Sequence, residues 1–274
     1  MTLPKIGIIG CGAISREVCR AVVSGEVRGV VAALADLDAE RLDEIASLFE
    51  EKPVEICVDP ENVEQGFREL YGQVDIIFEA AGGSIVPALL DLAISENKSL
   101  VVMSIGGLLG CDDKLQEAAE KDVRIVTPSG AIAGLDAVRA ASVGGLESVT
   151  LTTRKPPAGL RGAPYLETQG IDVDSLDSET TIFEGNAYKA VEAFPKNVNV
   201  AAALSLAGIG PDKTKIKLVT SPEYTKNSHE VEAVGAFGRL TTRVENVPSP
   251  RNPKTSYLAA LSAVAAMKEI TGSS

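Results

Sequence analysis

The chain has 274 residues, 45% of them hydrophobic, and carries 38 acidic against 26 basic residues for a formal net charge of −12 at pH 7. That length buries one large core or two modest ones, and so acidic a chain repels nucleic acid and anionic membrane surfaces, which leaves a small molecule as the expected partner. No apolar run reaches the roughly 18 residues of a membrane span. No secretory pattern precedes the first apolar run, Lys5-Ile6-Gly7-Ile8-Ile9. The four cysteines, Cys11, Cys19, Cys57 and Cys111, form no Cys-x-x-Cys pair. The expectation is a soluble, cytoplasmic protein with reduced thiols and no metal site.

The first half alternates short apolar runs with helical patterns. Strands are expected over 6–9, 30–34, 55–58, 75–79, 99–103 and 123–126, and helices over 15–23, 39–50, 63–70, 85–95 and 112–120. Strict alternation predicts a parallel, doubly wound sheet, and the nearly all-apolar strands predict a sheet covered on both faces. From about residue 148 the pattern changes. Strands are expected over 149–154, 215–219, 230–236 and 239–244, with helices over 187–193 and 198–206. Short links containing Gly235 and Gly238 favour antiparallel pairing there. A last helix is expected over about 255–269. The Pro- and Gly-rich stretch 156–164 reads as a mobile lid. The fold class is thus α/β: an N-terminal doubly wound parallel sheet over 1–128, completed by the C-terminal helix within about 253–274, plus a smaller α+β substrate-binding domain over 129–252 with a mainly antiparallel sheet.

Gly10-Cys11-Gly12-Ala13-Ile14-Ser15 joins the first strand to the first helix. Gly10 permits the tight turn, Gly12 lets a pyrophosphate approach the backbone, and the helix start at Ala13 and Ile14 offers free amides and a partial positive charge. This is the dinucleotide-binding (Rossmann) pattern, with Ser15 at its third glycine position. Asp36 closes the second strand, where an acidic side chain accepts hydrogen bonds from the adenosine ribose and repels a 2′-phosphate, which favours NAD while leaving NADP open. As an alternative, Asp36 caps the next helix. Ala80 and Ala81, after the fourth strand, and Ser104, after the fifth, lie where such sheets bind ligands; ordinary turn chemistry is the alternative.

A nicotinamide enzyme also needs an acid or base. His229, the only histidine, opens a strand of the second domain and titrates in the right range, or is structural. Arg154 and Lys155, before Pro156-Pro157, suit a substrate carboxylate or belong to a solvated loop. Lys155 is the rival base, although its ordinary pKa of about 10.4 would need strong depression. Asn197 and Asn199, in Phe194-Pro195-Lys196-Asn197-Val198-Asn199-Val200, either cap a helix or reach the ligands.

Five segments in order resemble the L-aspartate dehydrogenases over nearly the whole chain: Pro128-Ser129-Gly130-Ala131-Ile132-Ala133-Gly134-Leu135-Asp136, Thr153-Arg154-Lys155-Pro156-Pro157, the Asn197-to-Asn199 segment, Asn227-Ser228-His229 and Asn252-Pro253-Lys254-Thr255-Ser256. The resemblance implies NAD(P)-dependent oxidative deamination of L-aspartate to oxaloacetate and ammonium through iminoaspartate, which in some organisms feeds NAD biosynthesis. It implies that His229 is the catalytic residue, and that an asparagine (Asn199 by its distance from His229, or Asn197) and an alanine (Ala131 or Ala133) contact the cofactor. A homodimer is expected. The rivals are another two-domain enzyme of the same plan, such as a homoserine dehydrogenase or a dihydrodipicolinate reductase-like protein, and a non-catalytic NAD sensor.

Overall fold

A computed structural model describes residues 2–194, 199–249 and 252–273, the side chains of 252–255 excepted. Contacts divide the chain into two units, residues 1–128 with 259–274, and residues 129–258.

The first unit runs β1 (Lys5–Ile9), α1 (Ala13–Val23), β2 (Val30–Asp36), α2 (Ala39–Ala46), β3 (Val54–Cys57), α3 (Val63–Tyr71), β4 (Ile76–Glu79), α4 (Val86–Ser95), β5 (Ser99–Val102), α5 (Asp112–Glu120) and β6 (Ile125–Val126). Its six strands lie in the order β3-β2-β1-β4-β5-β6, and every pairing is parallel. A helix crosses between each pair of successive strands, so both faces are covered and the strands read as apolar runs. Ile6, Ile8, Leu34, Phe78 and Val101 are fully buried at the centre of this sheet. Burying each such side chain stabilises the unit by about 1.5–3 kcal/mol. The strand order reverses between β1 and β4, which makes their carboxyl ends the place where such a sheet opens a crevice for a ligand.

The second unit holds α6 (Leu135–Val143), β7 (Leu146–Lys155), α7 (Pro164–Gln169), β8 (Thr180–Asn186), α8 (Ala187–Ala193), α9 (Asn199–Ala207), β9 (Lys215–Thr220), β10 (Asn227–Gly235), β11 (Gly238–Asn246), β12 (Pro248–Ser249) and β13 (Asn252–Ser256). Five strands form one sheet in the order β11-β10-β7-β9-β8. Its pairings are antiparallel except β7 with β9. One face of β7 and β10 is buried, carrying Val149, Leu151, Thr153 and Lys155 beside His229, Val231 and Ala233. Their neighbours in sequence point to the other face, as the period-2 pleat requires. Tyr165, Phe183 and Phe194 meet ring to ring at 5.2–5.6 Å and tie α7, β8 and the end of α8 together. The last helix, α10 (Tyr257–Thr271), buries Ala263, Val264, Ala266, Met267 and Ile270 in the core of the first unit.

Two expectations need amending. The stretch 156–164 holds a 3-10 turn over Pro157–Gly159 and leads into α7. The helix expected over 39–50 ends at Ala46, with Ser47 as its cap. Five elements, α6, α7, β8, β12 and β13, have no counterpart among the expected ones.

Candidate active site

The turn after β1 is shaped by backbone. Gly10 has φ +89°, and a Cβ there would stand 2.7 Å from backbone atoms of Ala80 and Ala81. No other residue combines that conformation with that proximity. Gly12 is the extended N-cap of α1 and uses no side chain to cap it; a Cβ on it would meet nothing within 4 Å. The first amides of α1 have no intrahelical partners. Ser15, at the position of the third glycine, is fully buried, and its hydroxyl donates to the Gly10 carbonyl. The substitution thus closes the turn instead of loosening it.

Asp36 is not the helix cap. Asp38 holds that position, accepting from the amides of Glu40 and Arg41 at 3.0 and 3.3 Å. The Asp36 carboxylate takes the Cys11 amide at 2.6 Å and the Asp38 amide at 2.9 Å. It thereby links the end of β2 to the glycine turn and keeps lone pairs for a ligand. Around these groups lies a cavity of about 370 Å³, lined in part by Gly10, Gly12, Asp36, Ala80 and Ala81. Leu37, Asp38 and Arg41 also line it. Their signal in the sequence was position alone, directly after the ribose-side acid. Ala13, Ile14 and Ser104 are not among its lining residues. A half-open glycine cradle, a helix N-terminus and a carboxylate at the end of β2 suit the phosphates and adenosine ribose of a dinucleotide. Cys11 adds no reactive group. Burial, with the Asp36 charge added, pushes its thiol up to about 12, so it stays protonated.

In the second unit, His229 stands directly opposite Thr153 across the antiparallel β10–β7 pair. Both are buried, at 5% and 2% exposure, and Thr153 Oγ1 lies 3.0 Å from His229 Nδ1. Lys155 is two residues along β7 on the same face and 8% exposed. Burial lowers the Lys155 ammonium to about 8. Burial, and then the Lys155 charge, lowers His229 to about 3. At neutral pH the imidazole is uncharged while the lysine is still largely protonated. Arg154 points to the other face, with Nη1 3.5 Å from Glu230. The structure therefore brings Lys155 to His229 and separates Arg154 from them. The sequence alone assigns Thr153 no role, because its pairing with a residue 76 positions away is a matter of strand register.

Asn199 opens α9. Residues 129–134 run beside it: a Cβ on Gly130 would stand 3.5 Å from Val200 Cγ1. Ala131 is buried, with its carbonyl accepting from Asn246 Nδ2 at 3.1 Å. Ala133 is exposed, with its carbonyl accepting from Thr242 at 3.0 Å. Asn197 lies outside the described residues. Among the described residues no cluster of three His, Cys, Asp or Glu side chains is placed to hold a metal ion, and no helix is long and apolar enough to cross a membrane.

Comparison with known proteins fits both units. The family model "Homoserine dehydrogenase, NAD binding domain" matches residues 10–128, and the family model "Aspartate dehydrogenase, C-terminal" matches residues 136–270. The chain is 42% identical over 272 residues to the L-aspartate dehydrogenase of Methanosarcina barkeri and 44% identical over 272 residues to that of Methanosarcina acetivorans, covering 97% of this chain and 96% of each relative. A crystal structure of aspartate dehydrogenase from Thermotoga maritima shares the fold, with a TM-score of 0.72 at 21% identity over 97% of this chain and 96% of that one. At that level of identity and coverage with its Methanosarcina relatives, the chain belongs to the L-aspartate dehydrogenase family.

Proposed function

We infer that this chain catalyses the NAD-dependent oxidative deamination of L-aspartate: L-aspartate, NAD+ and water yield oxaloacetate, ammonium, NADH and a proton, through iminoaspartate. The substrate follows from the family, whose members align over nearly the full length of both chains. Placing the chemistry on His229 rests on one observation, a buried imidazole hydrogen-bonded to Thr153 on the face that also carries Lys155.

When bound, NAD supplies the acceptor for the α-carbon hydride. The protein supplies the proton chemistry. With Nδ1–H donating to Thr153 Oγ1, the His229 ring presents the Nε2 lone pair as a base, either to the substrate amine or to the water that attacks the imine. Lys155, protonated below about pH 8, is the cation for a substrate carboxylate. The substrate's negative charge then offsets the Lys155 repulsion, which makes His229 a better base with substrate present than without it. The Gly10–Gly12 turn with Ala13 and Ile14 takes the phosphates, Asp36 takes the ribose, and Ala80, Ala81 and Ser104 frame the nicotinamide side. Asn199 and Ala131, neighbours of the Val200–Gly130 approach, are the further cofactor residues that the family resemblance implies.

Asp36 makes NAD the preferred cofactor over NADP. We assign residues 1–128 with the C-terminal helix to cofactor binding and 129–252 to substrate binding and catalysis. Four free thiols support a cytoplasmic location. The outer edge of β11, at the end of its sheet, supports a homodimer formed by strand pairing across a two-fold axis. Iminoaspartate release to NAD biosynthesis is the physiological role the family suggests.

The test is a substrate panel with NAD and NADP. Reduction of NAD with L-aspartate, and oxidation of NADH with oxaloacetate and ammonium, are the expected result. Turnover of homoserine or a dihydrodipicolinate-type substrate in their place would move the chain to a rival activity, and NADH binding with no turnover would make it a sensor.

A further inference from the structure

Glu79, the last residue of β4, is fully buried. A carboxylate inside an apolar sheet is costly unless every oxygen is met by donors. Here three backbone amides meet it: Ala81 and Gly82 donate to Oε1 at 2.8 and 2.9 Å, and Ser104 donates to Oε2 at 2.9 Å. The first two amides begin the loop after β4, and the third begins the loop after β5. The two strands are neighbours in parallel register, with Glu79 opposite Val102. One side chain therefore spans the roots of two adjacent loops at the ligand-binding end of the sheet. Further out, the same loops touch through glycines: a Cβ on Gly107 would stand 2.2 Å from the Gly83 carbonyl oxygen. Gly10 in turn packs on the backbone of Ala80 and Ala81, so the glycine turn rests against the loop that Glu79 holds. Ala80, Ala81 and Gly82 line the cavity, whereas Glu79 does not.

We propose that Glu79 is a positioning residue for the dinucleotide site, fixing the loops after β4 and β5 in the shape that receives NAD before NAD arrives; this rests on the NAD-dependent reading above. The charged form is what the geometry needs. A carboxylate accepts at both oxygens, and its bonds to amides are the stronger, charge-assisted kind. A glutamine of the same shape can keep its oxygen on Ala81 and Gly82, but then turns an N–H against the Ser104 amide. The loop after β5 is then released while the loop after β4 stays. Pre-shaping of this kind raises affinity by removing the ordering cost from the binding step.

The experiment is NADH titration by fluorescence of wild type and Glu79→Gln, with thermal unfolding on the same preparations and L-aspartate kinetics at saturating NAD. We expect the NADH Kd to rise at least tenfold in Glu79→Gln, with the KM for L-aspartate within twofold of wild type. A folded Glu79→Gln protein that binds NADH within twofold of wild type, with only its Tm lowered, would make Glu79 structural and overturn the proposal. Amide exchange on the wild type, which needs no variant to fold, gives a second test. The amides of Ala81, Gly82 and Ser104 are expected to be protected without NADH, and protection that appears only on adding NADH would overturn the proposal. If wild type itself fails to bind NADH, the NAD reading falls with it, whereas the other overturning results leave that reading intact.

Discussion

The dinucleotide cavity and the His229 cluster are built from different materials. The cavity is shaped by backbone: a glycine turn at φ +89° and loop amides gathered by two carboxylates, Asp36 and Glu79. The cluster is side chain on side chain, with Thr153, Lys155 and His229 sharing one buried face of a sheet. A backbone-built site fails when the chain path changes and tolerates most side-chain trimming. A side-chain-built site fails one atom at a time while the fold stays. Substitutions in the two regions should therefore separate binding from chemistry.

The largest effect on binding is expected at Gly10. Gly10→Ala puts a Cβ 2.7 Å from the backbone of Ala80 and Ala81 and holds a non-glycine residue at positive φ, which alone costs about 1–3 kcal/mol. Calorimetry should show a lower Tm, and titration should show NADH binding weakened by roughly a hundredfold, about 2.7 kcal/mol.

Lys155→Met should act on substrate instead. Loss of one charged hydrogen-bonding partner, about 1.5–3 kcal/mol, should raise the KM for L-aspartate tenfold or more at pH 7 and leave the NADH Kd unchanged. The pH dependence follows from the same group. Its pKa is lowered by burial to about 8, so the cation is present below that value and lost above it. The wild-type KM for L-aspartate should therefore climb as pH rises through 8, and the variant's KM should stay flat there. The same shift fixes the sign for stability. The unfolded chain holds its lysine proton up to about 10.4, so between about 8 and 10.4 this group makes the protein more stable as pH rises.

Thr153→Val should be milder. It keeps the volume and removes the partner of Nδ1, so the imidazole loses its fixed tautomer and orientation. A kcat lower by about tenfold is expected, near the 1.4 kcal/mol of one ordinary hydrogen bond, with both binding constants held. An unchanged kcat would mean that the 3.0 Å contact orients nothing.

The contrast between the two regions also explains what the sequence disclosed. The Gly10–Gly12 turn is written locally: an apolar run, two glycines and a helix start lie within ten residues, and the ribose-side acid follows at the end of the next strand. The alternating first half is equally local, and its six strands and five helices lie where their periodicity put them, with ends shifted by a few residues. Pairing across distance is not local. Nothing within residues 150–156 says that Thr153 faces His229, because register between strands separated by 70 residues is set by the whole sheet. Even so, the period of two was available. Adjacent strand residues point to opposite faces, so Arg154 and Lys155 had to part, and only one of them could join His229. Strand β8 escaped notice because Gly185 and Asn186 at its end resemble a turn. Helix α6 is masked by its glycine caps, Gly134 and Gly144, which leave only nine residues of pattern between them. Glu79 escaped for a different reason: a carboxylate at a strand end is unremarkable until its three amide partners are seen.

The account stands most directly on His229, and one paired measurement tests it: kcat for L-aspartate oxidation and the NADH Kd, both determined on wild type and His229→Ala. The account predicts that kcat falls by about 10²–10⁴, the range of a lost general base, while the NADH Kd stays within twofold. A kcat near that of wild type, or a loss of kcat matched by an equal loss of NADH affinity, would contradict it and return His229 to a structural role in the sheet.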